Sequence, residues 1–196
     1  MGMYWNGAAE FRLPASYFPA PVSTPAPTPV PNPTVITVGG GSQYTTIQQG
    51  IQAAEAAEIH KLIVSPGTYT ETDQLGAADN GLTITTAAGG VTVVGGFSLS
   101  GASGITLSGL TFHGDGAAVA ITALNSDHVT ITNTIFTGTG QAVLLDGTSA
   151  SASAVSNSLM TATTNSAIEA KNGSNNDIPG LAWRRARNQN NTRISE

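Results

Sequence analysis

A repeat of 24 residues occupies the middle of this chain and restricts the folds open to it. The segment Ile105–Phe112 (ITLSGLTF) returns 24 residues later as Val129–Phe136 (VTITNTIF) and, more weakly, as Ser153–Met160 (SAVSNSLM). Self-similarity at a fixed spacing is typical of a solenoid, in which each turn of chain packs on the next.

The other half of each repeat holds a second short apolar segment. Ala118–Ile121 returns as Ala142–Leu145 and, in degraded form, as Ser166–Glu169. A helical repeat needs about 33 to 47 residues, so 24 residues are too few for two helices. Apolar and polar residues alternate within each segment, as they do in strands. The predicted fold is therefore all-β: a right-handed parallel β-helix, or solenoid of ~24-residue coils, with the usual hand of parallel crossovers.

Stacking of the coils predicts ladders of equivalent side chains about 4.8 Å apart. Phe112, Phe136 and Met160 hold the same place in successive repeats, so we expect them to form an apolar ladder inside the solenoid. Asn133 and Asn157 are expected at a turn, because Asn tolerates left-handed backbone better than most residues.

The stretch before the repeats predicts a cap for the solenoid. Val35–Val38 and Lys61–Val64 have strand patterns, and Thr46 stands three residues before Gln49, which is the spacing of a helix capping box. An open solenoid end exposes unpaired backbone and core. We therefore expect a capping α-helix within residues 45–58.

Composition divides the chain into three parts. Residues 1–33 hold eight of the ten prolines and are expected to be a disordered leader and Pro-rich linker. Residues 34–177 would form the β-helix domain. Residues 178–196 contain four Arg and would be a basic tail or partial cap. The leader has no basic region followed by an apolar stretch, so no N-terminal signal peptide is recognisable.

The charge pattern argues against several kinds of partner. Residues 1–177 carry three basic and eleven acidic side chains, so no nucleic-acid surface is expected. No apolar run approaches the roughly 20 residues of a membrane span. The absence of Cys removes disulfides and thiolate metal sites.

Two segments of the chain resemble the start of a known family. Gly41–Ala54 (GSQYTTIQQGIQAA) and Ile63–Glu71 (IVSPGTYTE) are similar to the N-terminal cap and first coil of right-handed parallel β-helix proteins of the pectin lyase-like superfamily. The resemblance continues over about residues 34–176. It implies an extracellular or cell-surface protein with a polysaccharide partner, in particular an acidic polysaccharide. The superfamily includes pectinesterases, lyases, epimerases and polygalacturonases as well as surface proteins without known catalysis.

The catalytic motifs of that superfamily are incomplete here. Gly140–Leu145 (GQAVLL) resembles a pectinesterase motif in which Gln141 would help to hold an oxyanion. The segments that would supply the acid and the nucleophile are missing. The segment GQAVLL is also what a coil of this repeat would contain in any case. Lyases and epimerases need a base near cations that neutralise a uronate, but Lys171 is the only Lys or Arg in residues 81–176.

Asp146 and Glu169 form the remaining candidate site. Strict 24-residue spacing would place Glu169 on Leu145 in the core, where an unpaired carboxylate is costly. A one-residue deletion before Ile168 would instead move Glu169 outward onto Asp146. Two carboxylates about 5 Å apart can bind a hard cation such as calcium or act as a retaining glycosidase pair. The alternative is a pair of solvated acids moderated by Lys171. No other cofactor is expected.

Two functions therefore remain open. The first is a non-catalytic or truncated β-helix module that binds polysaccharide or has a structural role at an extracellular surface. It needs only an exposed hydrogen-bonding surface. The second is a carbohydrate-active enzyme, or a remnant of one, acting on acidic polysaccharide as a lyase, uronan epimerase, pectinesterase or glycoside hydrolase, and it needs a converging acid and base.

We expect truncation, because catalytic members of the superfamily usually have about twice as many coils as the four or five in residues 81–176. The sequence meets the requirement for binding more readily than the requirement for catalysis. The first function is therefore the prediction. Gln141, Asp146 and Glu169 are the candidate catalytic residues for the second, and Asp146 and Glu169 are also the candidate metal ligands.

Overall fold

The described part of the chain is mostly β-structure with one helix. The computed structural model describes five stretches: residues 34–114, 118–147, 153–161, 167–171 and the backbone of 182–183. The predicted leader and linker, residues 1–33, and nearly all of the predicted tail, residues 178–196, lie outside the described residues.

The helix α1 spans Ile47–Ala57 and is preceded by one strand and followed by fourteen within the described residues. These strands are β1 Ile36–Val38, β2 Lys61–Val64, β3 Gly67–Leu75, β4 Thr83–Thr86, β5 Val91–Ser100, β6 Thr106–Ser108, β7 Thr111–His113, β8 Val119–Leu124, β9 Thr130–Thr132, β10 Ile135–Thr137, β11 Gln141–Asp146, β12 Ala154–Ser156, β13 Leu159–Thr161, β14 Ile168–Lys171 and β15 Ala182–Trp183.

The strands form two sheets, and the chain passes repeatedly from one sheet to the other. The first sheet has the order β1-β2-β4-β6-β9-β12, and the second has the order β14-β11-β8-β5-β7-β10-β13-β15, with β3 also paired to β5. Every described strand pair is parallel. Each circuit of the chain therefore packs on the previous circuit, as in a β-helix.

Inside the sheets, the predicted apolar ladder is confirmed. Phe112 pairs with Phe136, and Phe136 pairs with Met160, so the spacing here is 24 residues. The rings of Phe112 and Phe136 are stacked with centroids 5.2 Å apart and planes 8° apart. Phe97 meets Phe112 edge-on at 5.7 Å. Aromatic pairs in these geometries add to the free energy gained from burial alone.

The prediction that Asn133 and Asn157 lie at a turn is also confirmed. Asn133 and Asn157 lie immediately after β9 and β12, and their φ angles are 51° and 48°. This left-handed backbone costs Asn less than it costs most residues, which explains the return of Asn at this place in the repeat.

The second sheet departs from 24-residue spacing, because its connections differ in length. Ile121 pairs with Val143, an offset of 22 residues, and Val143 pairs with Ile168, an offset of 25 residues. Three residues separate β10 from β11, against five between β7 and β8, and this accounts for the offset of 22. The predicted stacking of Leu145 on Ile121 is therefore wrong, and Leu145 pairs with Ala123.

The predicted helix at the start of the domain is confirmed as α1. Thr46 is the N-cap, and its side chain accepts a hydrogen bond from the backbone of Gln49, whose own side chain returns to the cap. Glu58 closes the helix in left-handed conformation with φ of 54°. Among the described residues, no helix is long and apolar enough to cross a membrane.

Side chains tie α1 to the edge of β3. Glu71 accepts hydrogen bonds from the backbone N–H groups of Ile47 at 2.9 Å and Gln48 at 3.2 Å, which satisfies two donors of the first helical turn. The amide of Gln48 accepts from the N–H of Gln74 at 2.6 Å and donates to its carbonyl at 3.4 Å. This side chain therefore bonds to β3 as a neighbouring strand would.

The Phe ladder yields a prediction for stability. Replacing Phe136, which is fully buried, with Ala should lower the free energy of unfolding by about 3–5 kcal/mol, through lost burial and a cavity. The matched control is Ile135→Ala, because Ile135 is the preceding residue of β10 and is 41% exposed. Urea unfolding measures both variants, and equal losses would contradict the ladder.

Candidate functional site

The residues singled out in the sequence lie on the neighbouring strands β11 and β14, in a register different from the predicted one. Glu169 pairs with Leu144, and Asp146 pairs with Lys171. The predicted stacking of Glu169 on Asp146 is therefore wrong. The prediction assumed a deletion before Ile168, whereas the connection into β14 is longer than the repeat requires.

The structure does bring Gln141 and Glu169 together. The Gln141 amide nitrogen Nε2 donates a hydrogen bond to Glu169 Oε2 at 3.1 Å, and Lys171 Nζ lies 3.4 Å from Glu169 Oε1. Gln141 is buried, while the side chains of Glu169 and Lys171 are 37% and 44% exposed. An ion pair this exposed contributes only about 0–1 kcal/mol to stability.

In this cluster, Gln141–Glu169–Lys171, the residues Glu169 and Lys171 end two rows of outward-facing side chains, and Gln141 contacts Glu169 from a buried position. The alternate positions of these strands point into the core. We call the two rows the outer face, and its residues are Gln74, Ser98, Ser100, Thr122, Leu124, Leu144, Asp146, Glu169 and Lys171. Five strands at ~4.8 Å spacing make this face about 19 Å long.

The outer face can form hydrogen bonds but does not hold a carboxylate pair at Glu169. Its amide and ammonium groups donate, its carboxylates accept, and its hydroxyls do both. Lys171 is the residue that pairs with Asp146 across the two strands. Asp146 and Glu169 are therefore not directly opposite each other. Within the described residues, no group of three or more Asp, Glu or His side chains is arranged to hold a metal ion.

The carboxyl group with the most strongly shifted pKa belongs to Asp73 on β3. Asp73 pairs with Phe97, is fully buried, and has no hydrogen-bond partner for either carboxyl oxygen among the described residues. Burial, reinforced by the charge of Glu71, raises the pKa of Asp73 to about 8. Such shifts often mark functional groups. Asp73 has no access to solvent, however, so we assign it to the structure of the cap.

Sequence reasoning overlooked Asp73, although a signal for it was present. Tyr69, Asp73 and Leu75 are buried at alternate positions of β3, the period of a half-buried strand. Asp73 is four residues after Tyr69, so both side chains face the same side of the strand, and this would have predicted that Asp73 is buried. The pairing of Asp146 with Lys171 gave no such signal, because it depends on the length of a connection.

Comparisons with known proteins support the fold. No protein-family model matches the chain, and no curated protein matches its sequence. One similar solved structure is a variant of the catalytic domain of a GH87 α-1,3-glucanase in complex with nigerose. It is 19% identical with a TM-score of 0.57, over 82% of this chain and 33% of that one.

A second variant of a GH87 α-1,3-glucanase catalytic domain, also with nigerose, is 16% identical with a TM-score of 0.47, over 78% of this chain and 35% of that one. This chain thus spans about a third of the length of these catalytic domains. At 19% identity, the first likeness shows a shared β-helix fold and does not transfer an activity.

Asp73 yields a prediction for pH dependence. Its pKa is about 8 in the fold and 3.8 in an ordinary Asp, so the folded chain holds this proton more tightly than the unfolded chain does. The resulting stabilisation is complete below about pH 4 and is lost as the pH rises through about 8. The melting temperature of the Asp73→Asn variant should therefore fall less over this pH range than that of the wild type. At about pH 8 the variant should have the higher melting temperature.

The control for this experiment is Asp127→Asn. Asp127 lies in a turn, and hydrogen bonds from Ser103 and His128 lower its pKa. Its replacement should leave the decline between about pH 4 and pH 8 unchanged. An unchanged decline in Asp73→Asn would show that Asp73 ionises normally.

Proposed function

We propose that this chain contains a non-catalytic β-helix module that binds polysaccharide through its outer face. The observation that carries this proposal is the Gln141–Glu169–Lys171 cluster. It presents a carboxylate and an ammonium group on an open strand surface, and the buried Gln141 amide holds the carboxylate by a hydrogen bond. Sugar hydroxyls both donate and accept hydrogen bonds, so such a mixed set of groups suits them.

The shape of the outer face favours a long ligand. Its longer row crosses five parallel strands, and amide or hydroxyl side chains occupy this row on the first three, at Gln74, Ser98 and Thr122. A polymer that lies along this direction would meet the same kinds of group repeatedly. A small molecule would need a concave pocket to bury most of its surface.

The charge of the chain favours a neutral polysaccharide over an acidic one. The described residues include eight Asp or Glu and only two Lys. A polyuronate would be repelled by most of this surface and attracted only near Lys61 and Lys171. The similar glucanase structures hold nigerose, so a neutral α-1,3-glucan is the first ligand to examine. The acidic polysaccharide that the sequence suggested becomes the competing ligand.

A carbohydrate-active enzyme is the second candidate, and the similarity to glucanase catalytic domains favours it. Glycoside hydrolysis usually requires two carboxylates on either side of the scissile bond. On the outer face Lys171 is both the ion-pair partner of Glu169 and the cross-strand neighbour of Asp146, so both carboxylates have a cation beside them. This arrangement is why we prefer binding to catalysis.

The architecture and location of the protein belong to the same proposal. We place the alternating sheets in a right-handed parallel β-helix, since parallel crossovers almost always take that hand. We also propose an extracellular or cell-surface location, where a polysaccharide ligand would be met.

Glycan binding provides the test. Titration calorimetry with α-1,3-linked gluco-oligosaccharides should show saturable binding, and Glu169→Gln should weaken it about 10- to 100-fold, the range for loss of a hydrogen bond to a charged group. Asp127→Asn is the matched control, because it makes the same carboxylate-to-amide change in a turn away from the outer face.

Three results would count against the proposal. Unchanged affinity in Glu169→Gln would remove the outer face as the binding surface. Tighter binding of polygalacturonate than of the neutral oligosaccharides would reverse the ligand class. Release of new reducing ends from any of these polymers by the purified chain would show that it is an enzyme.

A further inference from the structure

A second candidate site lies at the end of α1, on elements that contribute nothing to the outer face. A cavity of about 270 Å³ is enclosed by the last turn of the helix, the residues that follow it, and the short 3-10 turn Ala77–Asp79. Glu55, Glu58, His60 and Asp79 supply its polar side chains. We call this cavity the cap pocket.

The electrostatics of the cap pocket favour a cation. Three carboxylates line it, and none of its lining residues is Lys or Arg. The helix ends here, so its negative dipole end adds to the field, and the last turn contains no basic residue to offset it. Burial raises the pKa of Asp79, and the charge of Glu55 raises it further against an opposing hydrogen bond from Gly76.

One acceptor in the cap pocket lacks a partner. Asp79 is only 8% exposed, and its Oδ2 accepts a hydrogen bond from the Gly76 N–H at 2.8 Å. Its other oxygen, Oδ1, is buried without a hydrogen-bond partner. Burying an acceptor in this way costs free energy unless a donor completes it. A cation in the cavity would offset the charge of this buried carboxylate.

We propose that the cap pocket binds an organic ammonium ion, of the kind carried by polyamines and by amino sugars. An ammonium group offers three donors and so can satisfy several carboxylates at once. The cavity is much larger than a single ion, and no metal-holding group of three or more side chains occurs in the described residues. The proposal stands apart from glycan binding at the outer face.

The experiment is titration calorimetry on the full chain with two ammonium probes and one neutral control. Putrescine represents free polyamines, and an oligomer of glucosamine represents amino sugars. The N-acetylated oligomer, which lacks the charge, is the neutral control. We expect at least one ammonium probe to bind saturably and more tightly than the neutral oligomer. The tighter of the two probes identifies the source of the ammonium group.

Variants locate the site. Glu55 and Glu58 are exposed, so Glu55→Gln combined with Glu58→Gln should leave the fold intact and weaken ammonium binding at least about tenfold. Asp79→Asn is a second, more buried variant and should also weaken it. Asp127→Asn should have no effect. Glu169→Gln should retain ammonium binding, which separates this site from the outer face.

Several outcomes would overturn the proposal. These are a lack of saturable ammonium binding at millimolar concentrations, equal binding of the N-acetylated oligomer, or unchanged affinity in the double variant. Calcium alone, bound by the wild type and lost in the double variant, would show a metal site instead.

Discussion

Parallel hydrogen bonding between successive circuits of the chain is the interaction on which the rest of this structure depends. Many of the strands are only three residues long, and such strands are not stable alone. Each one is held by the strand before it and the strand after it. The first circuit has no strand before it, and an open edge of this kind is a liability.

The protein meets this problem with side chains from α1. Gln48 bonds to both backbone groups of Gln74 on β3, and Glu71 on the same strand holds the start of the helix. The cap is thus attached by hydrogen bonds that continue the ladder, and by apolar contacts of Ile47 and Ile51. The buried Asp73, whose pKa is raised by its burial, lies on β3 between Glu71 and Gln74.

The lengths of the connections decide which polar side chains meet on the surface. Because side chains alternate across a strand, changes in connection length move whole rows relative to one another. The short connection into β11 and the longer one into β14 bring Glu169 to Leu144 and Lys171 to Asp146. An amide, a carboxylate and an ammonium group come together as a result. The cap pocket, in contrast, collects carboxylates without a Lys or Arg, so the two candidate sites differ in charge.

The sequence alone determined the strands, the capping helix and the Phe112–Phe136–Met160 ladder. These features depend on local alternation, on capping chemistry and on a repeat whose spacing is constant in that half of each coil. Only the tertiary structure decided the neighbours of Glu169, the burial of Asp79 and the cap pocket. Register depends on how many residues a connection uses, and a repeat that varies by one or two residues does not reveal this. Sites of this kind also combine side chains from elements far apart in the chain, so their geometry exists only after the circuits have stacked.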